Sequence, residues 1–149
     1  MAETKSDKLE LAKLVYDKLY FERKGFKKKN DFVKLYTDVV YKQKKDDDSF
    51  YMVTLTCKGD KECEYTFEVV VTGFFKAYIS KEVSIEKLIK YNTVNILYPY
   101  LRVAVTQLTS QPDVKPVILD PVDVITFVDS MTDVCEFEEK EEYKNDKEE

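Results

Sequence analysis

The 149-residue chain has no histidine and no tryptophan, and only 3 glycines, 3 cysteines and 4 prolines. Without histidine it lacks the side chain most used for general acid–base work, and the commonest metal ligand as well. Its glycines, at 25, 59 and 73, form no phosphate-cradling loop, and no serine sits in a nucleophile-elbow pattern. Cys57, Cys63 and Cys135 fall in no metal-ligand spacing and read as reduced thiols of a cytosolic protein. No stretch is apolar for long enough to span a bilayer, and the opening MAETKSDK lacks the apolar core of a signal peptide. These absences argue against an enzyme, and neither cofactor nor metal is expected. The acidic run at 46–48 is expected to be a solvated hairpin tip rather than a cation site.

Charge is unevenly placed. The chain carries 24 basic and 29 acidic side chains, a formal net charge of −5, and residues 136–149 alone hold 8 acidic against 3 basic. The tail therefore accounts for the whole surplus, and the remaining body is formally neutral, which argues against nucleic acid as the main partner. The length suits one domain that buries roughly 70% of its unfolded surface. The expected division is a flexible N-terminus at 1–12, a folded domain at 13–135 and an acidic disordered tail at 136–149.

Aromatic residues are plentiful, with 11 Tyr and 9 Phe. Residues 13–23 alternate, with Val15, Leu19 and Phe21 on one face and Tyr16, Lys18, Tyr20 and Glu22 on the other. That is the pattern of a strand with one wet face. A basic loop follows at 23–30 (RKGFKKKN), then a second alternating strand at 32–44. Turns are expected at 45–49 (KDDDS) and at 58–61 (KGDK), with strands at 50–57 and 65–77. Short turns between neighbouring strands imply an antiparallel meander.

After residue 80 the period becomes helical. The most apolar run spans 96–108, and Asn95 is expected to cap it, placing Pro99 in the first turn where a missing N–H costs little. Leu97, Leu101, Ala104, Val105 and Leu108 form one stripe, Ile96, Tyr100 and Val103 a second, and Arg102, Thr106 and Thr109 a polar edge. A helix apolar on two sides must be covered on both, by its own sheet and by a partner. A connector bracketed by prolines leads to a second helix, expected to start at Asp120-Pro121 with Val124, Val128, Met131 and Cys135 as its stripe. Four strands followed by two helices make an α+β fold. Phe74, Phe75 and Tyr78 close the last strand, and Tyr98 and Tyr100 open the main helix. Tyr joins an apolar body to a polar tip, which suits an apolar yet wet peptide groove, and these five aromatics are its expected lining.

Three segments in order resemble the SecB export chaperones: FEVVVTGFF at 67–75, NILYPYLR at 95–102 and VILDPVDVITFV at 117–128. The resemblance runs over roughly 14–131. It implies a homotetramer, a dimer of dimers with the main helices sandwiched between, so that Ile96, Tyr100 and Val103 would meet a partner subunit. It also implies an ATP-independent holdase that binds unfolded preproteins and delivers them to the SecA motor. The family's SecA contact lies on the exposed sheet face. Glu22 and Glu68 match its acidic members, whereas Lys18 and Thr66 depart from the pattern. SecB-like proteins also serve as dedicated chaperones of an antitoxin. An adaptor that binds an acidic partner or RNA through the basic loop is the third possibility.

Overall fold

A computed structural model describes residues 8–46, 49–78, 85–131 and 138–139. Four antiparallel strands, β1 (Lys8–Arg23), β2 (Lys34–Gln43), β3 (Phe50–Lys61) and β4 (Tyr65–Tyr78), precede a helical run. That run comprises α1 (Ile85–Lys87), a π-helical turn (Leu88–Asn92) and α2 (Thr93–Leu108), and α3 (Val124–Asp129) follows. A two-residue strand, β5 (Glu138–Glu139), completes a sheet of order β1-β4-β3-β2-β5. The α+β meander expected from the sequence is therefore the architecture. Asp47, Asp48 and Cys135 lie outside the described residues.

One face of the sheet carries the core. Val53, Leu55, Val69, Val71 and Phe75 are fully buried there beneath Val94, Leu97, Leu101 and Val105 of α2. Gly73 lets the helix come this close: a Cβ at that position would stand 2.7 Å from Leu97 Cδ2. Gly59 has a similar role, because the Phe67 ring occupies the space a Cβ would need, at 2.1 Å. Hence the KGDK segment is strand rather than turn, and the reversal falls at Glu62–Cys63–Glu64, with Cys63 at φ 68°.

The first strand departs from the simple alternation. It begins at Lys8, earlier than expected, and its register with β4 slips between Leu11 and Lys13 and again between Tyr16 and Lys18. Each slip is a bulge that flips the faces of the residues beyond it. Tyr16 therefore pairs with Val71 on the helix side, while Val15 pairs with Thr72 on the open side. Asp17, the bulged residue, accepts a hydrogen bond from the Thr72 hydroxyl.

The main helix also differs from expectation. It starts at Thr93 and continues from the π-helical turn, so Asn95 is inside it and caps nothing. Pro99 sits within the helix, where it deprives the Asn95 carbonyl of its N–H donor. Both residues face solvent, where water can serve that carbonyl. Side chains hold the π-helical turn: the Thr93 hydroxyl donates to the Ile89 carbonyl at 2.5 Å, and the Tyr41 hydroxyl to the Lys90 carbonyl at 2.6 Å. At the last helix the cap is Asp123, whose carboxylate accepts from Thr126 N–H at 3.4 Å, not Asp120.

Burial pushes the Cys57 thiol up from its ordinary 9.0 to about 12. Because the folded state holds this proton more tightly, the associated stability is present below pH 9.0 and is lost as the pH rises towards 12. The urea midpoint of the parent chain should fall across that window more steeply than that of Cys57→Ala. At pH 8, mass-spectrometric mapping of a thiol reagent should show half-buried Cys63 labelled and Cys57 protected until the chain unfolds.

Candidate functional surfaces

The outer flank of α2 is open. Ile96 is partly buried, but Tyr100 is 43% and Val103 52% exposed. Beside them stand Tyr16 and Leu19 of β1, 38% and 53% exposed, with the Tyr16 hydroxyl donating to the Tyr100 carbonyl at 3.0 Å. A shallow cavity of about 270 Å³, lined by Tyr16, Leu19, Ala104, Gln107, Leu108 and Gln111, continues this strip along the helix. Partial burial is the main cause that raises the Tyr16 hydroxyl above its ordinary pKa. Plain alternation along β1 puts Tyr16 on the opposite face, away from this surface. A signal was present: the apolar spacing widens from two to three at Leu11–Leu14 and at Tyr16–Leu19, the mark of two bulges.

The polar edge of α2 has a use that its residues alone did not reveal. Arg102 Nε donates to the Leu119 carbonyl at 2.9 Å, and the Thr106 hydroxyl to the Val117 carbonyl at 2.9 Å. Val117 N–H in turn donates to Thr109 Oγ1 at 2.8 Å. These bonds lay the connector along the helix, burying Leu119 and leaving Ile118 exposed.

The five aromatic residues expected to form a groove are distributed over three environments within one chain. Phe75 is fully buried on the core face, and Tyr98 is buried beside it. The Tyr98 hydroxyl donates to the Asp120 carbonyl at 2.7 Å, and its ring meets Phe127 edge-on at 5.2 Å. Burial is also what chiefly raises its hydroxyl pKa. Phe74 lies on the open face against Phe50, with ring centroids 6.3 Å apart. Tyr78, on that face too, donates to Glu10 at 3.3 Å. Tyr100 belongs to the outer flank of α2.

Glu22 and Glu68 come together on the open face, where Glu22 pairs with Thr66 and Tyr20 with Glu68. Lys18 Nζ stands 2.8 Å from Glu68 Oε1, so the ammonium offsets the carboxylate charge directly. Glu22 accepts a hydrogen bond from the Tyr20 hydroxyl, the main cause that raises that hydroxyl's pKa. Tyr20, Glu68, Lys58 and Tyr36 form one rung across four strands and line a depression of about 280 Å³.

In the basic loop, Lys24 pairs with Asp60 at 3.1 Å, Lys29 with Glu62 at 3.5 Å and Lys28 with buried Glu64 at 3.8 Å. Lys61 also reaches Glu64, at 3.3 Å. The acidic β3–β4 hairpin thus engages most of the charge an adaptor would need for RNA. Among the described residues no group of His, Cys, Asp and Glu could hold a metal, and no helix is long and apolar enough to cross a membrane.

Comparison with known proteins gives these surfaces a context. The chain is 36% identical over 70 residues to the protein-export protein SecB of Dechloromonas aromatica (strain RCB); the match spans 47% of this chain and 46% of that protein. It is 24% identical over 107 residues to an uncharacterized protein of Methanocaldococcus jannaschii, covering 70% of this chain and 69% of that one. Its fold is similar to that of a SecB-like chaperone of Mycobacterium tuberculosis, solved in complex with a ChAD peptide from the HigA1 antitoxin. The TM-score is 0.62 at 14% identity, over 77% of this chain and 88% of the other. The family model for the preprotein translocase subunit SecB matches residues 9–131, and the chain therefore belongs to the SecB family of chaperones.

Proposed function

We propose that this protein is an ATP-independent holdase, a homotetramer that binds extended apolar segments of unfolded preproteins and passes them to a SecA-type motor. The observation that carries this reading is the strip of Tyr16, Leu19, Tyr100 and Val103, half-exposed in a chain otherwise rich in charge. Contiguous apolar surface of that kind marks an interaction site. Holding an unfolded client needs burial of its apolar side chains and no chemical step.

A second reading, a chaperone dedicated to an antitoxin, is favoured by one specific feature. Lys18 neutralises Glu68 on the face where the family receives SecA, which weakens the acidic signature of that contact. The fold similarity to the mycobacterial chaperone accords with it.

Three outcomes follow from these readings. Light scattering at micromolar concentration should return a tetramer mass, and Tyr100→Asp with Val103→Asp should lower it while circular dichroism stays unchanged. An unaltered mass would remove this flank from the assembly interface. The protein should suppress aggregation of a denatured client without nucleotide. Phe74→Ser with Tyr78→Ser should weaken that activity at unchanged stability, whereas truncation of fully buried Phe75 should cost roughly 3–5 kcal/mol of folding free energy.

Binding to a SecA-type partner should be modest and should fall with added salt, because exposed charges are screened over about 8–10 Å and one such pair is worth only about 0–1 kcal/mol. Lys18→Asp should tighten it and Glu68→Lys abolish it, with client holding intact. If titration shows that neither substitution moves the affinity, this face is not the docking site and the antitoxin reading gains.

A further inference from the structure

The two edges of the sheet are treated differently by the fold. β2 ends the four-stranded meander, and among the described residues its partner beyond that is β5, at its last two residues. Lys42 pairs with Glu138 and Gln43 with Glu139, in parallel register. The pairing residues come from the tail that holds the chain's entire negative surplus, while β2 and the turn after it bring Lys34, Lys42, Lys44 and Lys45. Charge thus favours the return of the tail to this edge.

From Leu35 to Val39 the outer edge of β2 meets no described segment. Lys44 N–H donates to the Phe50 carbonyl at 2.9 Å, which fixes the alternation along the strand. Even-numbered residues bond to β3, and odd-numbered residues turn their N–H and C=O outward. Leu35, Thr37 and Val39 therefore present a row of backbone groups that no described segment pairs with. Leu35, Tyr36 and Val40, exposed on alternating faces, flank that row with apolar surface, and Phe32 adds more just before the strand. A long apolar edge of this kind is a template for another extended chain.

The geometry points to the β2 edge as a strand-addition site for an extended client segment, with the chain's own acidic tail as a resident competitor at its Lys42–Gln43 end. This inference rests on the holdase reading and adds to it how the client backbone is held. Main-chain bonds to an edge are indifferent to sequence, which suits a protein that must hold unrelated clients. Apolar side chains on either face supply the burial. β5 pairs with the Lys42–Gln43 end of the edge, so it lowers apparent affinity without closing the site.

Amide hydrogen exchange on the full-length protein, with and without a reduced, carboxymethylated unfolded protein as client, tests this directly. Bound client should protect the amides of Leu35, Thr37 and Val39, whereas those of Tyr36 and Asp38 are protected throughout. Leu35→Pro with Thr37→Pro removes two outward donors, a change an edge strand tolerates, and should weaken client binding about tenfold. Glu138→Pro with Glu139→Pro should release the tail, speed exchange at Gln43 and tighten client binding about twofold to threefold, the factor expected when a partly occupied site is vacated. Client held without protection of those three amides would overturn the strand-addition site and leave the holdase reading standing. A parent chain that holds no client would overturn both. Protection that appears with protein concentration alone, together with a larger mass by light scattering, would assign the edge to a second copy of the chain and overturn the proposal.

Discussion

A single helix covers a sheet that is too wide for it, and most of the surface chemistry of this protein derives from that mismatch. α2 has 16 residues, about 24 Å at 1.5 Å per residue, and a packed helix is only about 10 Å across. Four strands at about 4.8 Å spacing exceed that width. The helix settles chiefly on β4 and β3, where Gly73 admits Leu97. Core-side residues at the flanks remain uncovered: Leu19 on β1 and Leu35 on β2 are both half-exposed although both face the helix layer. Among the described residues no other segment covers these flanks. The apolar surface left over at both edges is where the proposed assembly and client holding would find area to bury.

The opposite face of the sheet is governed by pairing rather than burial. Lys18 with Glu68, and Lys24, Lys28 and Lys29 with the acids of the β3–β4 hairpin, distribute charge so that little of either sign accumulates. Such exposed pairs add little stability, yet they set what the surface can recognise, since a partner meets local charge rather than the net charge of the chain. The acidic excess is exported to the tail, the same segment that returns to pair with β2.

The sequence by itself determined the order of the four long strands and the helices after them, the antiparallel meander, the apolar stripe of α2 that meets the sheet and the family resemblance, but not β5 in the tail. These depend on periods of two and of 3.6 residues, which are local properties of the chain. It also placed Glu22 and Glu68 on wet strand faces, because Glu22 lies beyond the second bulge of β1 and plain alternation holds around both residues. Tertiary structure alone decided the rest. The bulge at Asp17 exchanged the faces of Val15 and Tyr16 relative to Leu19 and Phe21, since it added one residue to β1 against the fixed register of β4. Gly59 became part of a strand because a distant Phe67 ring needed its missing Cβ, and Pro99 was carried inside a helix whose start was set by a π-helical turn braced from Tyr41. Phe74 and Phe75, adjacent in the chain, parted to opposite faces, as neighbours in a strand must. Which of those faces would be covered was fixed only when α2 packed on one of them.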